Sequence, residues 1–257
     1  MTRHGSYRSA TMTTVKTTLP KSEPKDHHDL VKLAGGVIKS VVNQVGFRTA
    51  VIARPFSTCN FDGGNGATPF PSNAEIADIV KAGIERGTVA DRRITIPIEL
   101  VNDMSSKELG EVNLPNPTVL ISRKFFEKCL AANDATALAS VLMHEWMHLA
   151  GFDHDGSGSK NDVPYELGFI VLERAATKAK FIPGIRGLAK PRTPALRTLV
   201  RNWDCPIVRQ SHGAVTRPKD GLTAPTLALI THTKPIRPSK TISSVRSTRG
   251  IEETPPR

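Results

Sequence analysis

Between residues 135 and 150 the chain has no lysine or arginine, and apolar side chains fall on nearly every side of a helix drawn through the segment. A helix with that pattern has to be buried, so the rest of the fold must be built around it. Asn133 or Asp134 is placed to cap its start. Leu138, Leu142 and Leu149 fall on one narrow arc, and Val141, His144 and His148 on the next. Two histidines four residues apart therefore share one face of an element that packing holds rigid and dry.

The stretch from His144 to Asp155 reads H-E-x-x-H-x-x-G-x-x-H-D. Both imidazoles of the first pair can reach one ion, and Glu145 is placed to handle a water beside it. Gly151 allows a left-handed turn that ends the helix and lets the chain double back, presenting His154 as a third ligand. Three neutral nitrogens with one open position are the donor set of a catalytic zinc (Zn2+). At this chain's own residue frequencies the bare H-E-x-x-H arises by chance in roughly one chain in a hundred of this length. Adding the glycine and third histidine lowers that to a few in a hundred thousand, by order of magnitude, which favours a metal site over two histidines satisfied in a core.

Around this helix the patterns alternate between helix and strand. Leu30, Ala34, Val37, Ile38, Val41 and Val45 have helical spacing, with Gly46 as the stop. Residues 47–54, with Thr49, Val51 and Ile52, favour a strand. A loop follows over 55–71, and Ser72-x-x-Glu75 is a capping box for a helix that should lie on a sheet and close at Gly87. Ile94, Ile96 and Ile98 alternate with polar residues, which predicts a strand with one buried face; Pro97 argues for a sheet edge. Residues 105–117 read as a polar connection and 118–121 as an interior strand. Ser122 can cap a short helix carrying Phe125, Phe126, Cys129 and Leu130, and Asp162-Val163-Pro164 opens another over 165–181.

Composition sets the limits of the folded part. Residues 181–257 hold 14 Lys/Arg against 4 Asp/Glu, a net of +10, whereas residues 1–180 hold 21 against 20, a net of +1. Ten of the nineteen prolines also lie in 181–257, so this segment is read as a basic, largely disordered tail able to make weak polyanion contacts. Leu196, Leu199, Val200 and Trp203 nevertheless have helical spacing, and residues 226–230 strand character; either can dock on the domain. Residues 1–29 read as a disordered arm, with His27 and His28 in a solvated polar cluster. Residues 30–180 remain as the catalytic domain. Three cysteines without paired spacing exclude a disulfide framework. Neither a leader-like apolar region nor a membrane-spanning run is visible, so a cytoplasmic setting is the default expectation, with non-classical export also open.

The twelve-residue motif resembles the signature of the metzincin zinc peptidases, and Asp155 after the third histidine resembles the adamalysin-type variant. The resemblance implies an α+β, zincin-like fold: a small mixed β-sheet with packed helices around a central buried zinc-binding helix. It implies a zinc-dependent metalloendopeptidase acting on a peptide or protein substrate, with His144, His148 and His154 as ligands and Glu145 as catalytic base. The substrate would lie extended along a sheet edge, for which the strand with Pro97 is a candidate. None of the five methionines follows His154, so the family's Met-turn residue has no counterpart; residues 162–165 stand in its place. The helix beginning there is expected beneath the zinc site, and the Tyr165 hydroxyl beside the ion. Asp155 is expected to support the ligands or to be a surface turn residue. Cys59, as a cap on the metal, is a weaker expectation than a plain loop cysteine. The alternative to an enzyme is a non-catalytic metal-binding or interaction domain with a polyanion-binding basic tail.

Overall fold

Among the described residues, the helix at residues 135–149 is the most deeply buried element: all fifteen of its residues are buried. In the computed structural model, residues 12–63, 69–105, 108–114, 116–156, 160–178 and 194–203 are described. All belong to one unit, Met1–His212; a second, Gly213–Arg257, lies outside the described residues, as do Cys205 and residues 226–230. In chain order the elements are β1 (Thr14–Thr18), α1 (Lys25–Val42), α2 (Phe47–Ile52), α3 (Asn73–Ala82), β2 (Arg93–Val101), β3 (Gly110–Asn113), β4 (Thr118–Ser122), α4 (Arg123–Ala132), α5 (Ala135–Leu149), α6 (Val163–Lys178) and α7 (Pro194–Arg201). The architecture is α+β, with one small mixed sheet.

The sheet runs β1-β2-β4-β3, with β1–β2 and β2–β4 parallel and β3–β4 antiparallel. Ile94, Ile96, Ile98 and Leu100 alternate inward along β2, as their period of two requires. Helices α1, α4 and α5 pack against the strands, and α6 packs along α5. The Ser140 hydroxyl of α5 donates to the Gly168 carbonyl of α6 at 2.8 Å, so α6 lies directly behind the face that carries His144, the place expected for it.

Several expectations from sequence are corrected. Residues 47–52 form a helix, not a strand: Phe47 and Val51, one turn apart, are both buried, and tertiary packing overrides the β-branched composition. The strand with Pro97 is not an edge, because β2 is flanked on both sides. Pro97 ends the pairing with β1, and pairing with β4 begins at Ile98, so the missing N–H falls where one neighbour hands over to the other. Residues 105–117 contain a strand, β3, within what reads as a polar connection. Helix α3 has its capping box at Ser72 and Glu75 but ends at Gly83, in the left-handed conformation, and packs on α2.

Neither boundary of the expected domain holds. Residues 1–29 are not a uniform arm: Thr14–Thr18 pairs in parallel with β2, and α1 begins at Lys25. His27 is buried, not solvated; its Nδ1 lies 2.9 Å from Glu23 Oε2 and its ring 4.9 Å from that of Phe126. Arg123 holds the same Glu23 at 2.7 Å, which ties the chain before α1 to α4. At the other end, α7 lies inside the segment read as a tail, and Val200 and Trp203 are buried against the domain.

Candidate metal centre

Asp134 starts α5 by accepting the N–H groups of Thr136 and Ala137, both at 3.1 Å. The far end is shaped by a tight turn. Gly151 has φ of +99°, and a Cβ there would lie 2.1 Å from the carbonyl oxygen of Asp62. Only glycine meets both conditions. Residues 60–62 then clasp the returning chain: Asp62 N–H donates to the Gly151 carbonyl and Asp153 N–H to the Asn60 carbonyl, each at 2.9 Å. The rings of Phe61 and Phe152 pack at 4.6 Å. Arg86 N–H donates to the otherwise orphaned Leu149 carbonyl at 2.8 Å, and the Arg86 guanidinium pairs with Asp62 at 2.9 Å. This clasp is what brings His154 back to the helix.

The candidate ligand atoms of His144, His148 and His154 all lie within 4.8 Å of one another. Two of the rings are oriented from behind. His148 Nδ1–H donates to the Phe152 carbonyl at 2.6 Å, and His154 Nδ1–H donates to Asp162 Oδ2 at 2.7 Å. Each bond leaves Nε2 with its lone pair for an ion. Asp162 is wholly buried; its other oxygen accepts the Tyr165 N–H at 3.2 Å and so caps α6. One carboxylate thus fixes both the third histidine and the start of the supporting helix. Burial, and then the neighbouring histidines, hold His144 well below the ordinary imidazole range. Burial and His154 bring His148 down to about 3. Neutral imidazoles are the metal-binding form.

Glu145 points the other way round the helix, toward the sheet. Its side chain is 0% exposed, and an ideal Cβ on Gly110 of β3 would lie 2.8 Å from its Oε1. Burial, and then the nearby Glu111, push its carboxyl well above the usual range. Among the described residues, both Glu145 oxygens, both His144 nitrogens and His154 Nε2 are buried without a hydrogen-bond partner. Buried polar atoms left unmet in this way are costly in a native core unless something binds them. Three clustered imidazoles, two of which (His144 and His154) carry unmet nitrogens, fit a single zinc-like ion.

Two aromatic rings complete the surroundings. Tyr165 lies with its ring 4.6 Å from that of His144 and 5.0 Å from that of His154, and Trp203 lies 4.3 Å from His144. The fold therefore brings together four of the residues singled out from sequence, His144, His148, His154 and Tyr165, while Glu145, next to His144 in the chain, lies against Gly110 of β3. A carboxylate that sequence did not assign to the third histidine, Asp162, eight residues away, stands behind it. Cys59 is not part of the cluster; burial, and then Asp162, push its thiol up to about 12, which leaves it protonated and a poor metal ligand. Sequence reasoning missed Gly110, the second role of Asp162, and Trp203. Asp162 was visible as a helix cap and Trp203 as part of a helical pattern, but neither pattern says which face meets the histidines.

No protein-family model, curated protein or solved structure matches this chain. What the centre can do follows from its own residues.

Proposed function

We propose that this chain is a zinc-dependent endopeptidase of zincin-like, metzincin-type architecture, with His144, His148 and His154 holding the ion. The observation that carries this reading is the convergence of three imidazoles, two of them oriented from behind, on a helix that also carries a buried carboxylate without a hydrogen-bond partner among the described residues. A site that only held metal for stability has no use for Glu145. An ion bound by three nitrogens with an open position supplies Lewis acidity and brings a bound water's pKa to about 7.

Glu145 takes the proton from the attacking water at its carboxylate and returns it to the nitrogen of the leaving amine. Tyr165, beside His144, is the candidate donor to the oxygen of the cleaved carbonyl. β3 is the outer strand beside Glu145, so an extended peptide laid along it would pass the carboxylate; this replaces the strand with Pro97 as the proposed substrate edge.

Glu145→Gln tests the reading. About one zinc per chain in both forms, with cleavage of an unstructured protein by the wild type alone, is the expected result. Zinc-free protein, or equal cleavage by both forms, would refute it.

A further inference from the structure

Helix α7 and Trp203 lie against the centre and contribute no ligand to it. Trp203 follows α7, is 3% exposed, and places its ring 4.3 Å from His144 and 6.0 Å from Tyr165. His144, Glu145 and His148 are all buried in this arrangement, so a peptide cannot reach the carboxylate until something moves. Helices α5 and α6 and strand β3 build the centre and cannot leave without dismantling it. We infer that α7 and Trp203 form an inhibitory latch: the form seen here is closed, and the centre opens when this segment lifts away. The inference rests on the peptidase reading for its biological sense, but it is a statement about access to the histidines.

The seating of α7 fits a part that can be released. A helix of eight residues is not stable alone and holds only by docking. Val200 and Trp203 are its buried anchors, while Pro194, Ala195, Thr198, Arg201 and Asn202 face solvent. Leu199 borders an open surface pocket of about 420 Å³ that is otherwise lined by residues of β4, α4 and the 102–109 loop, such as Ser122, Lys124 and Glu108. The indole Nε1–H of Trp203 is buried without an acceptor among the described residues, so the closed position leaves a donor unmet. One polar tie is a hydrogen bond from Lys160 Nζ to the Arg201 carbonyl at 3.1 Å. If the open form is a minor population, the centre's apparent reactivity is reduced by that fraction, and loosening the latch restores it.

The test uses the full-length, zinc-loaded protein as wild type, Trp203→Ala, Trp203→Phe and Val200→Ala. The rate of zinc loss to a colorimetric chelator is read beside cleavage of an unstructured protein. Trp203→Ala is expected to release zinc at least about tenfold faster and to cleave at least about tenfold faster, with Trp203→Phe close to wild type. Val200→Ala should move both rates the same way by less, and it carries the comparison if Trp203→Ala does not fold. Equal rates of zinc loss in wild type and the loosened variants overturn the latch, whether or not the protein is a peptidase. Faster zinc loss with no cleavage by any form keeps the latch and overturns the peptidase reading.

Discussion

Gly110 and Glu145 fit together as gap and group: a Cβ on Gly110 would come within 2.8 Å of Glu145 Oε1 and 3.0 Å of its Cγ. The neighbour is a fully buried side chain with little room to retreat. Gly110→Ala is therefore expected to displace the carboxylate while leaving the histidines in place. A misplacement of about 1 Å at a reacting group can cost about a hundredfold in rate. Turnover should fall by at least about tenfold with zinc content unchanged. Metal analysis beside steady-state cleavage checks this, and wild-type turnover in the variant would show that the position of the carboxylate does not matter.

Asp162 makes two bonds with one carboxylate, and a conservative change separates them. Asp162→Asn keeps an oxygen for the Tyr165 N–H but no longer offers a charged acceptor to His154 Nδ1–H. Loss of such a partner typically weakens metal binding by about 10–100-fold. Asp162→Ala removes the cap as well, which costs about a further 1 kcal/mol of stability. Zinc affinity by chelator competition should therefore fall in both variants, while the melting temperature falls more in the alanine form. An unchanged affinity in Asp162→Asn would mean that His154 is held by packing alone.

What the sequence reveals and what it hides follow from the range of the interactions involved. The centre is legible because its signal is local: i, i+4 on a helix, then a glycine, then a third histidine. The capping box at Ser72 and the isoleucines of β2 are local in the same way. Strand β1 is hidden because Thr-Val-Lys-Thr-Thr is polar and alternates only weakly; it is a strand because β2 pairs with it. Strand β3 has four residues, of which Gly110 and Val112 face inward, too few for a period to be read. Helix α2 is decided by what Phe47 and Val51 meet, not by its own propensities. Gly110, Asp162 and Trp203 are set by contacts with residues distant in sequence, or by choices among faces, which no pattern in the chain encodes.

Gly151 carries the turn that returns His154, and alanine there meets two obstacles. The φ of +99° is unfavourable for any side chain, and the Asp62 carbonyl stands 2.1 Å from the new Cβ. Residues forced into such regions cost about 1–3 kcal/mol before the clash is counted. Gly151→Ala is expected to lower stability by about 2 kcal/mol or more and to weaken zinc binding, because relief of the clash must open the clasp between residues 60–62 and 151–153. Denaturant unfolding of the metal-free protein, paired with a zinc titration, checks both effects. A variant with wild-type values in both would show that the clasp does not position His154.

The buried histidines give the metal-free protein a defined pH dependence. His148 has a folded pKa of about 3 against an ordinary value of 6.5, and His144 is shifted in the same direction by burial. Below pH 6.5 the unfolded chain takes up protons that the folded imidazoles refuse, so stability falls as pH drops from 6.5 toward 3, by up to about 1.4 kcal/mol per pH unit for each histidine. Glu145 works against this: its folded pKa is raised, so its contribution favours the fold at low pH and is lost as pH rises above its ordinary 4.5. Between pH 4.5 and 6.5 the two histidines contribute an upward slope with pH, and Glu145, Asp153 and Glu166, whose carboxyls burial raises, contribute a downward one. Denaturant midpoints of chelator-treated protein should therefore climb more steeply between pH 4.5 and 6.5 in the wild type than in His148→Gln, which lacks one of the two upward contributions. Because an ion needs neutral ligands, added zinc should stabilise more at pH 7.5 than at pH 5. The same slope in both proteins would show that His148 is not buried in solution, and equal stabilisation by zinc at both pH values would show that the histidines are not its ligands.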